Sequence, residues 1–499
     1  MRDSITIIYL YRSYQGPNVS TPKSLKIFML HSALLMVGYV SIRYSLALFL
    51  TRNNIPVDDS FTIVTSAFAI QVLFCFFWGY ILKKIPSPNH NRLVVIGGFI
   101  SVAGAFIIST LYYFEFMLIF GIATYIVGIS LYIVNFQALT NAYPVDDQTR
   151  TYFNQQIFIW TNSGALLGLL IGSWLTAFVA EWFPQAQYPV LYLLSSLSIL
   201  LSLHLLETNK DALTHIEDTD KKTFLFFNNP NWLPLFIFLM IAVAFILIIA
   251  PTLTRVLVIG AFFIAFFWEA FYGKLNKDQQ AKLWMAVAGN IAYRISIIVL
   301  YVGLSVFIDQ TGSDSKVAGH SNIPSLLFYM FDPVANILMG TIVIKYLQRF
   351  LSNSSYIFIG TLLVGLAFLF PAAGSLIQGA VSSIPSLFII LAIIIFGSGE
   401  FFLAPALTAQ MLSLAQQPSD LRYYSGLMQL CSAAGLILGY YIISTAASTA
   451  TSPAWFTESQ LCAWHGCLII TLSIFMMIAS YFLKKSGKNN QNNQGALHG

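Results

Sequence analysis

Residues 384–414 read IPSLFIILAIIIFGSGEFFLAPALTAQMLSL, and Glu400 is the one charged residue in this stretch. A helix needs roughly 20 predominantly apolar residues to cross a lipid bilayer, so the stretch is long enough to span one. Similar stretches recur along the chain, and together they predict an all-α integral membrane protein. We recognise fourteen: 26–50, 61–83, 92–112, 115–142, 153–180, 188–206, 233–250, 252–273, 286–309, 325–347, 355–378, 384–414, 422–447 and 461–483.

The overall composition predicts the same class of protein. Of the 499 residues, 57% are hydrophobic and 9% are charged, whereas a soluble domain carries about 25% charged residues. We therefore expect the lipid bilayer to surround most of the chain. The net charge of +5 is small, and it gives no reason to expect nucleic acid as a partner.

The sequence carries none of the common motifs of enzymes. It has no phosphate-binding loop, no nucleophile elbow and no paired-histidine metal motif. Its four cysteines follow no spacing used by zinc sites. We therefore expect a protein that is not an enzyme and that uses neither a cofactor nor a metal.

Basic residues concentrate in alternate loops when the N-terminus is placed in the cytoplasm. The loops on that side then hold most of the lysines and arginines, whereas the outer loops hold little beyond Arg52, Arg255 and Lys316. An excess of Lys and Arg marks the cytoplasmic loops of membrane proteins. The pattern predicts a multi-pass protein of the cell inner (plasma) membrane with both termini in the cytoplasm.

A polar break divides the spans into groups of six, two and six. This grouping predicts a major-facilitator fold, in which two six-helix bundles enclose a site near the bilayer midplane, with two further helices inserted between the bundles. The predicted segments are a cytoplasmic tail (1–25), a first bundle (26–206), a cytoplasmic linker (207–232), two inserted helices with a basic loop (233–285), a second bundle (286–483) and a cytoplasmic tail (484–499).

Ionisable residues inside spans are costly, and by default they mark a functional site. The charged ones that stand out are Arg43, Arg294, Asp309, Asp332 and Glu400, with Glu269 near a span end, and His31, His204 and His465 also fall within spans. Arg43 and Asp309 lie in the outer parts of spans 1 and 7, which are equivalent positions of the two bundles. We expect them to pair across an outer gate; the alternative is that both reach outward to the membrane interface. Arg294, near the inner end of span 7, either has a function or reaches the inner interface in the same way.

Two acidic residues lie in unusual sequence surroundings. Glu400 lies deep in its span between Gly397 and Pro405, which predicts a bent, closely packed helix. We expect its carboxylate to bind a substrate ammonium or a proton; the alternative is a protonated structural carboxyl. Asp332 precedes Pro333, which frees a backbone carbonyl and predicts a helix break that lines a cavity.

Six stretches resemble, in order, the span motifs of proton-dependent oligopeptide transporters, and the resemblance covers nearly the whole chain. The family's Gly-Glu-Leu motif and the acid before Gln-Gly-Ser are the ones matched around Glu400 and Asp309. The stretches are SIRYSLALFL (41–50), GISLYIVNFQAL (128–139), FIWTNSGALLG (158–168), FIDQTGSD (307–314), IPSLLFYMFDPVANILMG (323–340) and GSGEFFLAPALTAQMLSLAQQP (397–418).

The resemblance implies roles for individual residues. Arg43 and Asp309 match the family's outer-gate pair, and Glu400 matches the acid that receives the peptide's amino group. Asn162 and Asn135 match asparagines that line the peptide site. Two further residues stand at matching positions: Tyr39, from the family's aromatic pair, and Asp332, where the family has Asn. The resemblance implies a monomeric transporter that imports di- or tripeptides by proton symport.

The sequence also departs from the family pattern. Ser32, Leu35, Met36 and Ile133 stand where the family has charged residues that couple protons and hold the peptide carboxylate. If coupling exists, we expect it to run through Asp309, with Asp332 as a second site. The alternatives are an uncoupled transporter, an amino-acid transporter, or a sensor or assembly protein that has kept the fold without transport.

Overall fold

The apolar stretches of the sequence form helices. The computed structural model describes residues 22–53, 55, 57–84, 90–142, 147–183, 186–209, 232–250, 277–300, 323–343, 351–377, 385–415, 418–449 and 463–476, with single residues at 254, 257, 258, 261, 264, 346 and 478. The helices in this part are α1 (Pro22–Arg52), α2 (Val57–Lys84), α3 (His90–Thr110), α4 (Glu115–Asn141), α5 (Asp147–Trp182), α6 (Gln187–Thr208), α7 (Trp232–Ile249), α8 (Lys277–Ile298), α9 (Ile323–Ile342), α10 (Asn353–Ile377), α11 (Pro385–Leu412), α12 (Pro418–Thr449) and α13 (Ala463–Met476).

The all-helical prediction is confirmed. Each of these helices overlaps one of the predicted spans, although α8 begins at Lys277 where the prediction began at 286. Seven are long and apolar enough to cross a membrane by length and composition. The predicted span 252–273 and the two predicted tails lie almost wholly outside the described residues. The count of fourteen spans therefore stays a prediction.

Glycines bring neighbouring helices close together within each bundle. A Cβ atom added to Gly97 of α3 would lie 2.6 Å from the backbone nitrogen of Tyr132 in α4, and one added to Gly128 would lie 2.7 Å from the carbonyl oxygen of Gly97. A Cβ at Gly360 of α10 would lie 2.9 Å from the carbonyl oxygen of Gly399 in α11. Lipid provides no hydrophobic drive between helices, so small residues that permit close packing hold such bundles together.

The described helices form two groups around separate hydrophobic clusters. The first cluster is built from α1 to α7 and the second from α8 to α13. In the first group α1 packs on α5 and α6, α3 packs on α4, and α7 packs on α4. In the second group α10 and α9 both pack on α11, and α8 packs on α11 and α12. We refer to these groups as the first half and the second half.

A third hydrophobic cluster joins the two halves at one end of the bundle. It combines residues near the ends of α2, α4 and α11 with residues near the beginnings of α8 and α12. In the same region Ser425 of α12 donates a hydrogen bond of 2.5 Å to Gln137 of α4. Thr151 of α5 donates one of 3.1 Å to Asn353 of α10. The loops that flank these ends are those predicted to be cytoplasmic.

Candidate functional site

Three helices of the second half bring a carboxylate cluster together. Glu400 of α11 accepts hydrogen bonds from the hydroxyl of Tyr293 in α8 and from Nδ2 of Asn336 in α9, at 3.1 Å. The same amide nitrogen lies 3.1 Å from Oδ1 of Asp332. One asparagine therefore links two carboxyl groups. We call Tyr293, Asp332, Asn336 and Glu400 the acidic cluster.

The local sequence explains why the acidic cluster forms. Asp332 and Asn336 are one helical turn apart and share a face of α9. Gly397, one turn before Glu400, lets α9 and α11 approach, because a Cβ there would lie 2.5 Å from Oδ1 of Asp332 and 2.9 Å from its carbonyl oxygen. The predicted close packing at Gly397 is thus observed. The predicted helix break is not: Pro333 lies inside the continuous helix α9, and the preceding carbonyls simply lose one backbone donor.

The chemistry of the acidic cluster favours a cation or a proton. Two carboxylates that share one amide repel each other strongly in a medium of low dielectric. An amide can donate to both oxygens but brings no positive charge. An ammonium group, or a proton on one of the carboxyls, would relieve the repulsion between Asp332 and Glu400.

Arg294 of α8 lies beside this cluster. The carbon at the centre of its guanidinium lies 5.0 Å from the centroid of the Tyr293 ring. Its Cβ packs on Gly435 of α12, where an added Cβ would lie 2.5 Å away. Its Nε is shielded from solvent and has no hydrogen-bond partner in the described part of the chain. Arg294 as a whole is half-buried, and both alternatives for it, a function or a position at the inner interface, stay predictions.

The first half presents an arginine on two aromatic rings. The guanidinium carbon of Arg43 lies 4.9 Å from the ring centroid of Phe68 and 5.9 Å from that of Tyr39. The Tyr39 hydroxyl accepts a hydrogen bond of 3.4 Å from Gln71. Arg43 and Tyr39 both lie within electrostatic range of Arg294. The charge of Arg43 in the first half therefore acts on Arg294 in the second.

Two predicted site residues bond to their own helices. Asn162 donates a hydrogen bond of 2.9 Å to the carbonyl of Phe158, and Asn135 donates one of 2.8 Å to that of Leu131. Asn135 is fully buried, and its Oδ1 has no partner among the described residues. No described hydrogen bond joins either asparagine to the acidic cluster, so their roles in substrate binding stay predictions.

Of the predicted outer-gate pair, the structure describes one residue. Arg43 is in α1, whereas Asp309 lies outside the described residues. Three residues that stand where the family has charged residues are part of the apolar packing of the first half. Leu35 belongs to its hydrophobic cluster, and Met36 and Ile133 pack against that cluster. The pairing of Arg43 with Asp309 stays a prediction.

Sequence reasoning missed the neutral members of the site. Tyr293, Asn336 and Gln71 carry no charge, and neutral polar residues are common in spans, so none of them stands out by type. The available signals were positional: Asn336 follows Asp332 by one turn, and Tyr293 adjoins Arg294 in the sequence. Neither signal reveals that α8, α9 and α11 meet at Glu400.

The two helical halves confirm the predicted major-facilitator fold, because solved transporters of that fold match nearly the whole chain. Solved structures with this fold include a POT family transporter in complex with a thioalcohol-conjugated peptide, at 17% identity and TM-score 0.67, covering 93% of this chain and 97% of that one. Another is a POT family transporter in complex with 5-aminolevulinic acid, at 16% identity and TM-score 0.65, covering 93% and 97%.

A further similar structure is of a tetramer. It is the tetrameric PepTSo2, at 14% identity and TM-score 0.63, covering 94% of this chain and 98% of that one. No protein-family model matches the sequence, and no curated protein matches it. At these identities the likeness shows the fold, which the chain shares with these transporters over nearly its whole length.

Proposed function

We propose that this chain is a POT family transporter that imports small peptides, or related amino-containing solutes, across the inner membrane. The observation that carries the proposal is the acidic cluster around Glu400, in which three helices of the second half bring two carboxyl groups together. The substrates named in the similar structures, a conjugated peptide and 5-aminolevulinic acid, are consistent with this class of solute.

Glu400 is the proposed receptor of the substrate's amino group. A carboxylate fixed in low dielectric attracts an ammonium far more strongly than it does in water. The hydrogen bonds from Tyr293 and Asn336 hold the carboxylate in one orientation before the substrate arrives. Such pre-organisation lowers the entropy cost of binding. Tyr39, Asn162 and Asn135 are the proposed neutral contacts.

The contacts between the halves support a mechanism of alternating access. In this structure the halves meet at the predicted cytoplasmic end, through Ser425 and Gln137, Thr151 and Asn353, and the apolar cluster around them. Each such neutral hydrogen bond contributes about 0.5–1.5 kcal/mol net. These contacts are weak enough singly to be broken as the halves rock about the central site.

Proton symport is the proposed source of energy. Asp309 would take a proton when it separates from Arg43. Asp332 is the proposed second site, because Asn336 links it to Glu400 and an ammonium bound there changes the electrostatic potential at Asp332. The second candidate is facilitated diffusion, which the missing charges at Ser32, Leu35 and Ile133 favour.

Uptake into proteoliposomes tests these proposals together. The purified protein should accumulate radiolabelled di- or tripeptide, and an inward proton gradient should raise the internal concentration above the external one. Uptake that ignores the gradient would leave the facilitated-diffusion candidate. Absence of both uptake and binding across peptides and amino acids would favour the sensor or assembly role. The proposed monomer is checked in detergent by mass measurement.

A further inference from the structure

Arg294 has no part in the proposed binding of the substrate's amino group by Glu400. It lies next to the tyrosine that holds Glu400, yet no described residue forms an ion pair with it. Its Nε is buried without a hydrogen-bond partner among the described residues. Desolvating part of a guanidinium that has no counter-ion among the described residues is costly, and the face-on contact with Tyr293 offsets only part of that cost. The position therefore favours an anion.

Tyr293 keeps Arg294 apart from the carboxylates. Its hydroxyl bonds to Glu400, whereas the face of its ring lies against the guanidinium. The guanidinium of Arg294 and the carboxylate of Glu400 thus contact different parts of the Tyr293 side chain. They do not form an ion pair with each other. A site with separated charges is complementary to a solute that carries both an ammonium and a carboxylate.

The first half has a similar pair, a tyrosine beside an arginine. The ring of Tyr39 lies near the guanidinium of Arg43, and the Tyr39 hydroxyl bonds to Gln71. Arg43 lies close enough to Arg294 for their charges to interact. Two like charges within electrostatic range repel each other, and an anion bound near both is attracted by each of them. A guanidinium is also well shaped for a carboxylate, which it binds through two parallel hydrogen bonds.

We propose that Arg294 is the specificity-determining residue that binds the substrate's carboxylate, together with Arg43 and opposite the acidic cluster. This inference rests on the proposed function, since it names the second group of the same solute. It assigns to α8 the task that the resemblance places on the residue matched by Ile133, which here packs against the hydrophobic cluster of the first half.

The test compares a tripeptide that has a free C-terminus with the same tripeptide amidated at that end. Binding of both is measured to the unmodified protein, to Arg294→Gln and to Arg294→Lys. The control is Arg92→Gln, which removes an exposed arginine at the beginning of α3. Monodispersity after size-exclusion chromatography establishes that each variant is folded.

The unmodified protein and Arg92→Gln should prefer the free C-terminus. Arg294→Gln should lose affinity for the free peptide by roughly tenfold or more, as for other desolvated charge pairs, while its affinity for the amide is unchanged. Arg294→Lys should fall between them, because it keeps the charge without the paired hydrogen bonds. Equal losses for both peptides would show a structural role and overturn the inference, as would no loss for either.

A separate outcome distinguishes failure of the proposed function. If the unmodified protein binds neither peptide, the proposal of peptide transport fails. Succinate, which carries carboxylates, is then used as the ligand that tests Arg294. Succinate should then raise the melting temperature of the unmodified protein and of Arg294→Lys but not that of Arg294→Gln, since a ligand stabilises the state that it binds. Stabilisation that is the same with and without Arg294 would overturn the inference.

Discussion

The two halves of the molecule differ in how they use buried polar groups. In the first half the buried imidazole of His31 is held by neutral groups: it bonds to the carbonyl of Ser202 at 2.7 Å and to the hydroxyl of Tyr132. In the second half the acidic cluster gathers two carboxyls from separate helices at one point. A satisfied polar network rigidifies a bundle, whereas converging like charges call for a ligand or a proton.

This difference suggests a division of labour. The second half would supply most of the substrate contacts, through Glu400, Asp332 and Arg294. The first half would be the more rigid of the two; it would contribute Arg43 and pack against the second half. The charges expected in spans 1 and 4 are replaced by residues that pack, such as Leu35 and Ile133. The predictions below test whether the second half dominates in this way.

The largest effect is expected at the centre of the acidic cluster. Glu400→Gln removes the charge but keeps the shape, so binding of a peptide with a free amino group should weaken roughly 100-fold, as for other desolvated charge pairs. Binding of the N-acetylated peptide should be nearly unchanged. Isothermal titration calorimetry measures both.

The matched control for this change is Glu115→Gln, at an exposed position in the first turn of α4. It should bind like the unmodified protein. Equal affinity of the unmodified protein for blocked and free amines would remove Glu400 from the proposed role, and with it the dominance of the second half.

The next effect tests the close approach of α9 and α11. Gly397→Ala places a methyl group 2.5 Å from Oδ1 of Asp332 and 2.9 Å from its carbonyl oxygen, so the helices must separate. Such overpacking costs typically about 1–3 kcal/mol of stability, and the displaced cluster should weaken peptide binding as well. Thermal unfolding and peptide titration measure the two effects.

Gly172→Ala in α5 is the control for the same chemical change in the first half. There the nearest atom would lie 3.6 Å from the added methyl group, which is an ordinary contact. Its melting temperature and peptide affinity should both be close to those of the unmodified protein. A Gly397→Ala protein that behaves like Gly172→Ala would show that the acidic cluster tolerates separation of its helices.

A smaller effect is expected at the second carboxyl. Asp332→Asn keeps the hydrogen-bonding shape and removes the repulsion with Glu400, so peptide binding should survive within a few fold. Concentrative uptake should fall, because the proposed second proton site is gone, while counterflow exchange at equal proton concentration should continue. Unchanged gradient-driven accumulation would leave Asp332 without a part in coupling.

The sequence predicted the helices well and the site in part. Lipid requires long apolar stretches, and charges within them are rare, so the spans and the residues Glu400, Asp332 and Arg294 all stood out. Which helices adjoin is a long-range property that a pattern along one span does not contain. For that reason Tyr293 and Asn336 were missed.

The smallest effect concerns the contact that joins the halves. Ser425→Ala removes the 2.5 Å hydrogen bond to Gln137 while the surrounding apolar cluster remains. The loss of one neutral hydrogen bond costs about 0.5–1.5 kcal/mol, so the cytoplasmic end should open more often, by roughly two- to tenfold. Hydrogen exchange of the backbone amides at 421–430 measures this opening. Ser398→Ala is the control, because the Ser398 hydroxyl donates its hydrogen bond to Ile394 within α11 and does not link the two halves. If both variants exchange alike, the contact between Ser425 and Gln137 does not hold the halves together.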